Sequence, residues 1–568
     1  MLSFYLVQQN YHIGNIDSNT KKIIEGIANA KKANATVVIF SELCVCGYPP
    51  RDFLEFDDFL NLCQQGIETI LPHTIGITVI IGAPQKNKSL IGKNLHNSAY
   101  VLQNQKIIAT AQKTLLPTYD IFDEHRYFEP AFEWNVIAIE GKKIALVICE
   151  DIWNLGNNPL YRISPMDKLI TQNPDLIINL SASPYNYAQD TVRHSVVRAN
   201  VLKYNLPMLY VNNIGSQTEV VFDGGSIAYN QYGECVKELA YFKEDEALIT
   251  WQQLTQKTNN TQLAPTKLYY AATEVGKNQP TIAFLTAAKN IEEIYQALIL
   301  GIKDYFTKMG FTKAILGSSG GIDSAVTLAL ACQALGAQNV QCLMLPSPYS
   351  TGHSVDDAVK LSQNLKNPYH IVPINNVYEA LLNTLKPIYG NLPFNVAEEN
   401  LQSRSRGNLL MGVANKYNLI LLNTSNKSEL ATGYGTLYGD MAGGLGVLGD
   451  VYKMQVYALA DYINRNTEII PKNIITKPPS AELRPNQKDS DSLPDYPILD
   501  TILYQYIEQR QGPNEIIAQG YNAALVKNIL RMVNINEYKR NQFCPIIRVS
   551  CKAFGMGRRM PIVGKYLG

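Results

Sequence analysis

Two groups of residues in this chain can do chemistry, and they lie far apart in the sequence. One is the segment Lys313 to Ser324, KAILGSSGGIDS. Its apolar run, Ala314-Ile315-Leu316, reads as a buried strand. The run breaks into Gly317, Ser318, Ser319, Gly320 and Gly321, then Ile322, Asp323 and Ser324, and an Ala-rich helical stretch follows. A strand feeding a glycine-rich turn at a helix N-terminus aims backbone N–H groups and the helix dipole at one point, which suits a phosphate. The glycines allow close backbone approach, and the serine hydroxyls add donors. The Gly-Lys-Ser/Thr ending of a Walker A loop is missing, so no lysine of this loop reaches for a terminal phosphate. The plainer reading of the segment is a loop that only turns the chain.

The other group sits at three strand-like ends in the first half. Glu42 follows VVIFS, Lys113 lies in AQKTLLPTYD, and Cys149 ends KKIALVIC. A nucleophilic thiol needs a base for its proton and a donor for the developing oxyanion. Glu42 suits the first role. Lys113 suits the second, and an ammonium beside a thiol is expected to lower its pKa. Taken singly, a cysteine ending a core strand is packing, and a glutamate after a strand is solvated.

The elements that must position these groups are α/β throughout. Thr36 to Ser41, Thr78 to Ile81, Ile144 to Ile148, Leu176 to Leu180 and Met208 to Val211 are near-continuous apolar runs, which predicts strands in covered sheets. Phe222 to Ser226 followed by IAYNQYGE predicts a turn and a hairpin. Trp251 to Gln279 is rich in Gln, Thr, Asn and Lys and reads as the join, giving expected domains at 1–252 and 280–568 with a connector at 253–279. Beyond it, apolar residues at helical spacing from Asn290 to Tyr305 precede the loop strand, then Val340 to Leu345, His370 to Ile374 and Leu419 to Asn423. Strands alternating with helices predict a parallel sheet whose ligands bind at the strand carboxyl ends. Lys477 to Pro497 is Pro-rich and polar, either a mobile segment over the nucleotide site or a surface loop.

At 568 residues the chain is too long for one hydrophobic core. Its net charge of +1 gives no global field for nucleic acid or anionic membrane. The nine cysteines are scattered, without CxxC or zinc spacing, as fits reduced thiols in a cytoplasmic protein. No basic leader and no bilayer-length apolar run is evident.

Several blocks carry family resemblances. SGGIDS is similar to the pyrophosphate loop of the N-type ATP pyrophosphatases, which split ATP between the α and β phosphates and adenylate a substrate oxygen. SELCVCGYPPRDF, KTLLPTYDIFDEHRYF and CEDIW resemble the signature blocks of the nitrilase (carbon–nitrogen hydrolase) superfamily over roughly residues 1–250. That resemblance implies a four-layer αββα sandwich with a Glu42-Lys113-Cys149 triad, Glu124 as the additional glutamate, a thioester at Cys149 and release of ammonia from an amide. Tyr119 and Ser183 would then hold glutamine. Gln189 stands where relatives often carry Lys or Arg, and a neutral amide grips a carboxylate more weakly than a cation does. Arg193 as substitute and a shifted local alignment are the alternatives.

In the second half, ENLQSRSR, LNTSNKSEL, GYGTLYGDMAGG, GDVYKMQVY and SCKAFGMGRRMPI resemble NAD⁺ synthetases. With both halves, the chain looks like the glutamine-dependent NAD⁺ synthetase family. The resemblance implies an ATP-pyrophosphatase (adenine nucleotide alpha hydrolase-like) second domain, ATP and deamido-NAD⁺ as substrates, and Mg²⁺ on Asp323 and Glu429. It implies nucleotide contacts from Gly317 to Ser324, Thr424 and Lys453. Asn400, Arg404, Glu429 and Lys552 would hold deamido-NAD⁺. An enclosed ammonia route and a homo-oligomer are further expectations of the family. The plainer readings are that Arg404 and Arg406 are surface charges and that Lys552, Arg558 and Arg559 form a basic tail; Ser480 is a weaker phosphate candidate. Another ATP pyrophosphatase, amidating or tRNA-thiolating, is the rival enzyme. The tRNA-thiolating form calls for a basic groove and paired cysteines, whereas Cys332, Cys342, Cys544 and Cys551 form no close pair. A regulatory protein with dead sites is the non-enzymatic rival.

Overall fold

The computed structural model describes residues 2–566 apart from 90, 156–158, 258–267, 278, 351, 481, 485, 486, 488 and 492. The chain divides into two compact units, Met1–Val275 and Gly276–Gly568.

The first unit carries strands β1 (Ser3–Gln8), β2 (Val37–Ile39), β3 (Thr78–Lys86), β4 (Leu95–Gln103), β5 (Lys106–Gln112), β6 (Ile137–Ile139), β7 (Lys142–Ile148), β8 (Leu176–Leu180), β9 (Met208–Val211), β10 (Ile214–Gln217), β11 (Val220–Asp223), β12 (Ile227–Tyr229), β13 (Cys235–Glu238) and β14 (Asp245–Thr250). Two six-stranded sheets form, in the orders β14-β1-β2-β3-β4-β5 and β13-β12-β9-β8-β7-β6; β10 and β11 pair separately. Alternation along the strands sorts their side chains into layers. Phe4, Leu6, Val37 and Ile39 of one sheet pack with Ile144, Leu146, Ile178 and Leu209 of the other. The opposite face of the first sheet, with Val7, Val38 and Val79, packs on Ile23, Ile27 and Ile67 of the helices Ile16–Lys32 and Asp57–Ile70. The opposite face of the second, with Ala145, Val147 and Ile177, packs on Val192, Val196 and Val201 of the helix Gln189–Tyr204. The result is the expected four-layer αββα sandwich. The expected hairpin is β12–β13.

Within the stretch expected as a connector, residues 258–267 and 278 lie outside the described ones. Leu254, on the capped helix Trp251–Thr255, is buried in the first unit's core between the sheets. Ala272–Val275 is a short helix.

The second unit holds β15 (Ala314–Gly317), β16 (Val340–Met344), β17 (Tyr369–Ile371), β18 (Ile420–Asn423) and β19 (Leu445–Gly446) in one sheet of order β17-β16-β15-β18-β19. Every pairing is parallel. The expected strand His370 to Ile374 is shorter and begins earlier, at Tyr369–Ile371. Pro373 has no N–H to give to a ladder, and Ile374 is buried just before the helix Asn375–Tyr389. From β15 the chain runs to β16 and β17 on one side and returns to β18 on the other. The switch point therefore lies between β15 and β18, where Gly317 and Asn423 end neighbouring strands. The helix Ala288–Met309 presents Ile291, Ile294, Leu298 and Ile302 to the interior at helical spacing.

Candidate active sites

In the first unit the three strand ends converge. Glu42 follows β2, Lys113 follows β5, and Cys149 follows β7. Cys149 takes φ +42°, a strained conformation for a side-chain-bearing residue, which turns it off the strand into a one-turn helix. The Lys113 ammonium is fully buried and lies 2.7 Å from Glu42 Oε1 and 2.7 Å from Glu124 Oε1. Asn97 Nδ2 on β4 donates to Glu42 Oε1 at 2.7 Å, and the Ala182 N–H donates to Glu42 Oε2 at 2.9 Å. Tyr48 donates to Glu124 Oε1 at 2.7 Å.

Burial opposes charge on Lys113, yet Glu124 and Glu42 hold its pKa well above the usual lysine value. Burial raises the carboxyl of Glu124, with Lys113 opposing and Glu42 reinforcing. For Cys149 the balance corrects the expectation from sequence. Lys113 does pull the thiol down, but burial and the nearby Glu42 outweigh it and push the thiol well up. The lysine's charge is already shared by two carboxylates. The resting sulfur is therefore a thiol, and a base must take its proton during reaction.

Glu150 and Asp151 lie within the CEDIW block but have no role assigned from sequence. Asp151 accepts from the N–H groups of Thr114 at 3.0 Å, Leu115 at 2.8 Å and Ile148 at 3.0 Å. It thus staples the segment after Lys113 to the residue before Cys149. Glu150 is buried and accepts from the hydroxyls of Tyr119, at 2.9 Å, and Tyr161, at 3.1 Å. Two successive acids at the end of an apolar run, ICED, were the signal available. Tyr48 and Asn97 gave none.

The expected glutamine positions are less uniform. Tyr119 bonds Glu150, and the Ser183 N–H donates to Asn212 Oδ1 at 2.8 Å. Gln189 opens the helix Gln189–Tyr204 and accepts from Asn186 Nδ2 at 3.0 Å. Arg193 is fully buried, 2.6 Å from Asp223 Oδ1 and 3.2 Å from the Gly224 carbonyl. Its charge is paired with Asp223.

In the second unit a cavity opens over the strand ends. It is lined by Gly317, Ser318, Ser319, Gly321, Ile322, Asp323 and Ser324, by Arg406, Thr424, Glu429, Tyr434 and Lys453, and by Lys477, Pro479, Ser480, Glu482, Leu483 and Asp489. The Pro-rich segment therefore lies against the glycine-rich loop. Gly320 has φ +74°, and a Cβ there would meet the Ser354 carbonyl oxygen at 2.2 Å, so the turn excludes any side chain. The Ser324 hydroxyl donates to the Gly321 carbonyl at 3.0 Å, and Ser318 is buried beside it in the loop.

Lys453 lies 2.5 Å from Asp323 Oδ2 and 3.6 Å from Glu429 Oε1. Burial and Asp323 push the Glu429 carboxyl up to about 8, against the pull of Lys453. Asn426 and Glu429 close a reciprocal cap at the start of the helix Lys427–Thr432.

Asn400, Arg404 and Lys552 do not line this cavity. Asn400 Oδ1 accepts from Thr436 Oγ1 at 2.7 Å, and Arg404 Nε donates to the Leu437 carbonyl at 3.2 Å. The Lys552 carbonyl accepts from Lys427 Nζ at 3.0 Å. Lys427 was missed from sequence; it is fully buried against Asp450 at 2.9 Å and Glu508 at 2.8 Å. Arg558 is buried and pairs with Glu537 at 2.7 Å, which corrects its reading as part of a basic tail; Arg559 is exposed. The Ser480 hydroxyl donates to the Gln487 carbonyl at 2.5 Å. Cys332 and Cys342 are both buried, and burial pushes their thiols up, to about 12 and about 11. All nine cysteines are free, and no described helix is long and apolar enough to cross a membrane.

Comparison with known proteins adds independent findings. The carbon–nitrogen hydrolase family matches residues 6–259, and the NAD synthase family matches residues 294–543. A glutamine-dependent NAD(+) synthetase from Synechocystis is 41% identical over 99% of this chain and 98% of its own. One from Acinetobacter baylyi is 40% identical over 98% of this chain and 97% of its own. The structure of the glutamine-dependent NAD⁺ synthetase from Acinetobacter baumannii, in complex with ADP, superposes with a TM-score of 0.75. It is 37% identical over 99% of this chain and 98% of its own. With near-complete coverage at this identity, the chain belongs to the glutamine-dependent NAD⁺ synthetases, enzymes that join a glutaminase to an NAD synthase.

Proposed function

We propose that Glu42, Lys113 and Cys149 release ammonia from glutamine, and that the second unit uses ATP to place it on deamido-NAD⁺. The observation that carries this reading is the burial of one ammonium between two carboxylates beside the Cys149 thiol.

Glu42 takes the thiol proton as sulfur attacks the carboxamide carbon of glutamine. Lys113 donates to the oxyanion of the tetrahedral adduct. Its two carboxylate partners keep it charged throughout. The proton returns to the departing nitrogen, ammonia leaves, and water later cleaves the thioester to give glutamate. Asp151 keeps the Lys113 segment and the Cys149 turn in register through its three backbone bonds. Tyr119, Ser183 and Gln189 are the proposed glutamine contacts, which leaves the substrate carboxylate to neutral donors.

In the second unit the nicotinate carboxylate of deamido-NAD⁺ attacks the α-phosphorus of ATP. Diphosphate leaves, and an acyl adenylate forms. Ammonia attacks its carbonyl carbon and AMP departs. The glycine-rich loop, Thr424 and Lys453 bind the nucleotide. Asn400, Arg404 and Lys552 are proposed for the dinucleotide, where two cations suit its phosphates. Asp323 and Glu429 fit Mg²⁺, because two carboxylates with free lone pairs suit a cation that takes its remaining ligands from phosphate and water. Among the described residues no group of three His, Cys, Asp or Glu could hold a metal alone, consistent with such a shared site. When bound, Mg²⁺ supplies neutralisation of phosphate charge. A cytoplasmic location is supported by the nine free thiols. Self-association belongs to the same proposal, and light scattering tests it.

The deciding experiment is Cys149→Ala, assayed with deamido-NAD⁺, ATP and Mg²⁺. Glutamine-driven NAD⁺ formation should vanish, while ammonium salts still support it and AMP, not ADP, accumulates. Loss of both activities in a well-folded variant would refute the division of labour.

A further inference from the structure

Four groups in the second unit close a ring. Asp323 opens the helix after the glycine-rich loop, Glu429 lies on the helix Lys427–Thr432, and Lys453 opens the helix Lys453–Ile463. The fourth group is Asn426, whose side chain was not among the sequence candidates.

Asn426 Nδ2 donates to Asp323 Oδ1 at 2.9 Å, while Lys453 Nζ holds Asp323 Oδ2 at 2.5 Å. The Asn426 backbone N–H donates to Glu429 Oε2 at 3.3 Å, and Lys453 faces Glu429 Oε1 at 3.6 Å. Each carboxylate thus has one oxygen on Asn426 and the other toward Lys453. Asn426 Oδ1 accepts the Glu429 N–H at 3.0 Å and so caps the helix that carries Glu429. Asn426 is fully buried, which removes water as a competitor for these bonds.

We propose that Asn426 is a positioning residue of the synthetase: its amide fixes the carboxylate plane of Asp323 relative to Glu429, so that both present their remaining lone pairs to one divalent cation. This rests on the reading of Asp323 and Glu429 as the carboxylates that face the cation. A carboxylate held at only one oxygen can rotate about its Cβ–Cγ bond, because such terminal torsions are broad. Loss of the Nδ2 bond would free that rotation without removing any ligand atom. A role confined to capping makes a different demand. It needs only the side-chain oxygen, which serine also supplies.

The test separates these roles with Asn426→Ser, which keeps a capping oxygen and removes the amide donor. Mn²⁺ binding to the full-length enzyme is measured by electron paramagnetic resonance in the presence of ATP, alongside the thermal midpoint. Asp323→Asn serves as the reference. The expected result is an unchanged midpoint, Mn²⁺ bound about tenfold more weakly by Asn426→Ser, and ammonia-driven kcat reduced at saturating ATP. Wild-type Mn²⁺ affinity in Asn426→Ser, with Asp323→Asn impaired, would overturn the positioning role and leave the cation reading intact. Wild-type affinity in Asp323→Asn would overturn the cation reading and this proposal with it.

Discussion

Glu150 shows how one side chain next to the nucleophile couples proton binding to stability. Its carboxyl is pushed up to about 7, chiefly by burial, with Lys113 and the hydroxyls of Tyr119 and Tyr161 opposing and Glu124 reinforcing. The unfolded chain binds that proton only below the ordinary value of 4.5. Between these limits the native state holds the proton and the unfolded state does not. The group's contribution is therefore complete below about pH 4.5 and is lost as pH rises through about 7. Glu150→Gln removes this dependence while keeping the shape and an acceptor for the tyrosines. Relative to wild type, the variant should gain on the order of 2 kcal/mol between pH 5 and pH 8, or about 5 °C in thermal midpoint. Melting curves of both proteins at the two pH values check this; a constant difference would show that Glu150 does not titrate there. Nothing in the sequence announced this behaviour. Glu42 and Cys149 were legible because each ends or follows an apolar run, and Lys113 because it opens the block KTLLPTYDIFDEHRYF. Their supporting partners were not, because the pairings are set by the fold. Asn97 reaches Glu42 across 55 residues, and Asn426 reaches Asp323 across 103.

At the scale of elements, close backbone approach explains more than composition does. The glycine-rich loop of the second unit is positioned because Gly320 packs against the Ser354 backbone, leaving 2.2 Å between a notional Cβ and the Ser354 oxygen. Gly317, at the end of β15, is different. A Cβ there would meet only the side chain of Leu410, at 3.2 Å. Gly320→Ala should therefore displace the loop and raise the KM for ATP at least about tenfold, an effect of 1.4 kcal/mol or more, whereas Gly317→Ala should change it much less. Ammonia-driven assays with ATP titration separate the two; equal effects would mean that the contact with Ser354 is not what sets the loop. The sequence showed the strand, the turn and the helix in order, since glycines between an apolar run and an Ala-rich stretch are a strong signal. It did not show which glycine is indispensable, because Ser354 lies on another helix. Covered strands such as β7, β8 and β9 were readable as apolar runs. β4 and β5 were not, because LHNSAYVLQ and KIIATAQ mix polar and apolar residues. The two-residue β19 is too short to carry a pattern.

For the whole molecule, each proposed reactive set draws its residues from one compact unit. Glu42, Lys113, Glu124 and Cys149 lie in Met1–Val275, and the glycine-rich loop, Asn426, Glu429 and Lys453 lie in Gly276–Gly568. Among the described residues, the hydrogen bonds that hold Glu42, Lys113 and Asp151 in place come from the first unit. On the proposed mechanism, thioester chemistry therefore has no local need of the nucleotide. Asp323→Asn disturbs the ring around Lys453 and should abolish NAD⁺ formation from either glutamine or ammonia. The same variant should still be alkylated at Cys149 by a diazoketone analogue of glutamine, read as a single covalent adduct by intact mass. Adduct formation at a rate within a few-fold of wild type is the expected result for a self-contained first site. Failure of Asp323→Asn to label, with wild type labelling under the same conditions, would mean that the thiol is released for attack only when the second site is in order. In that case Glu42 would not suffice as base, and the raised pKa of Cys149 would itself act as a brake on wasteful hydrolysis of glutamine.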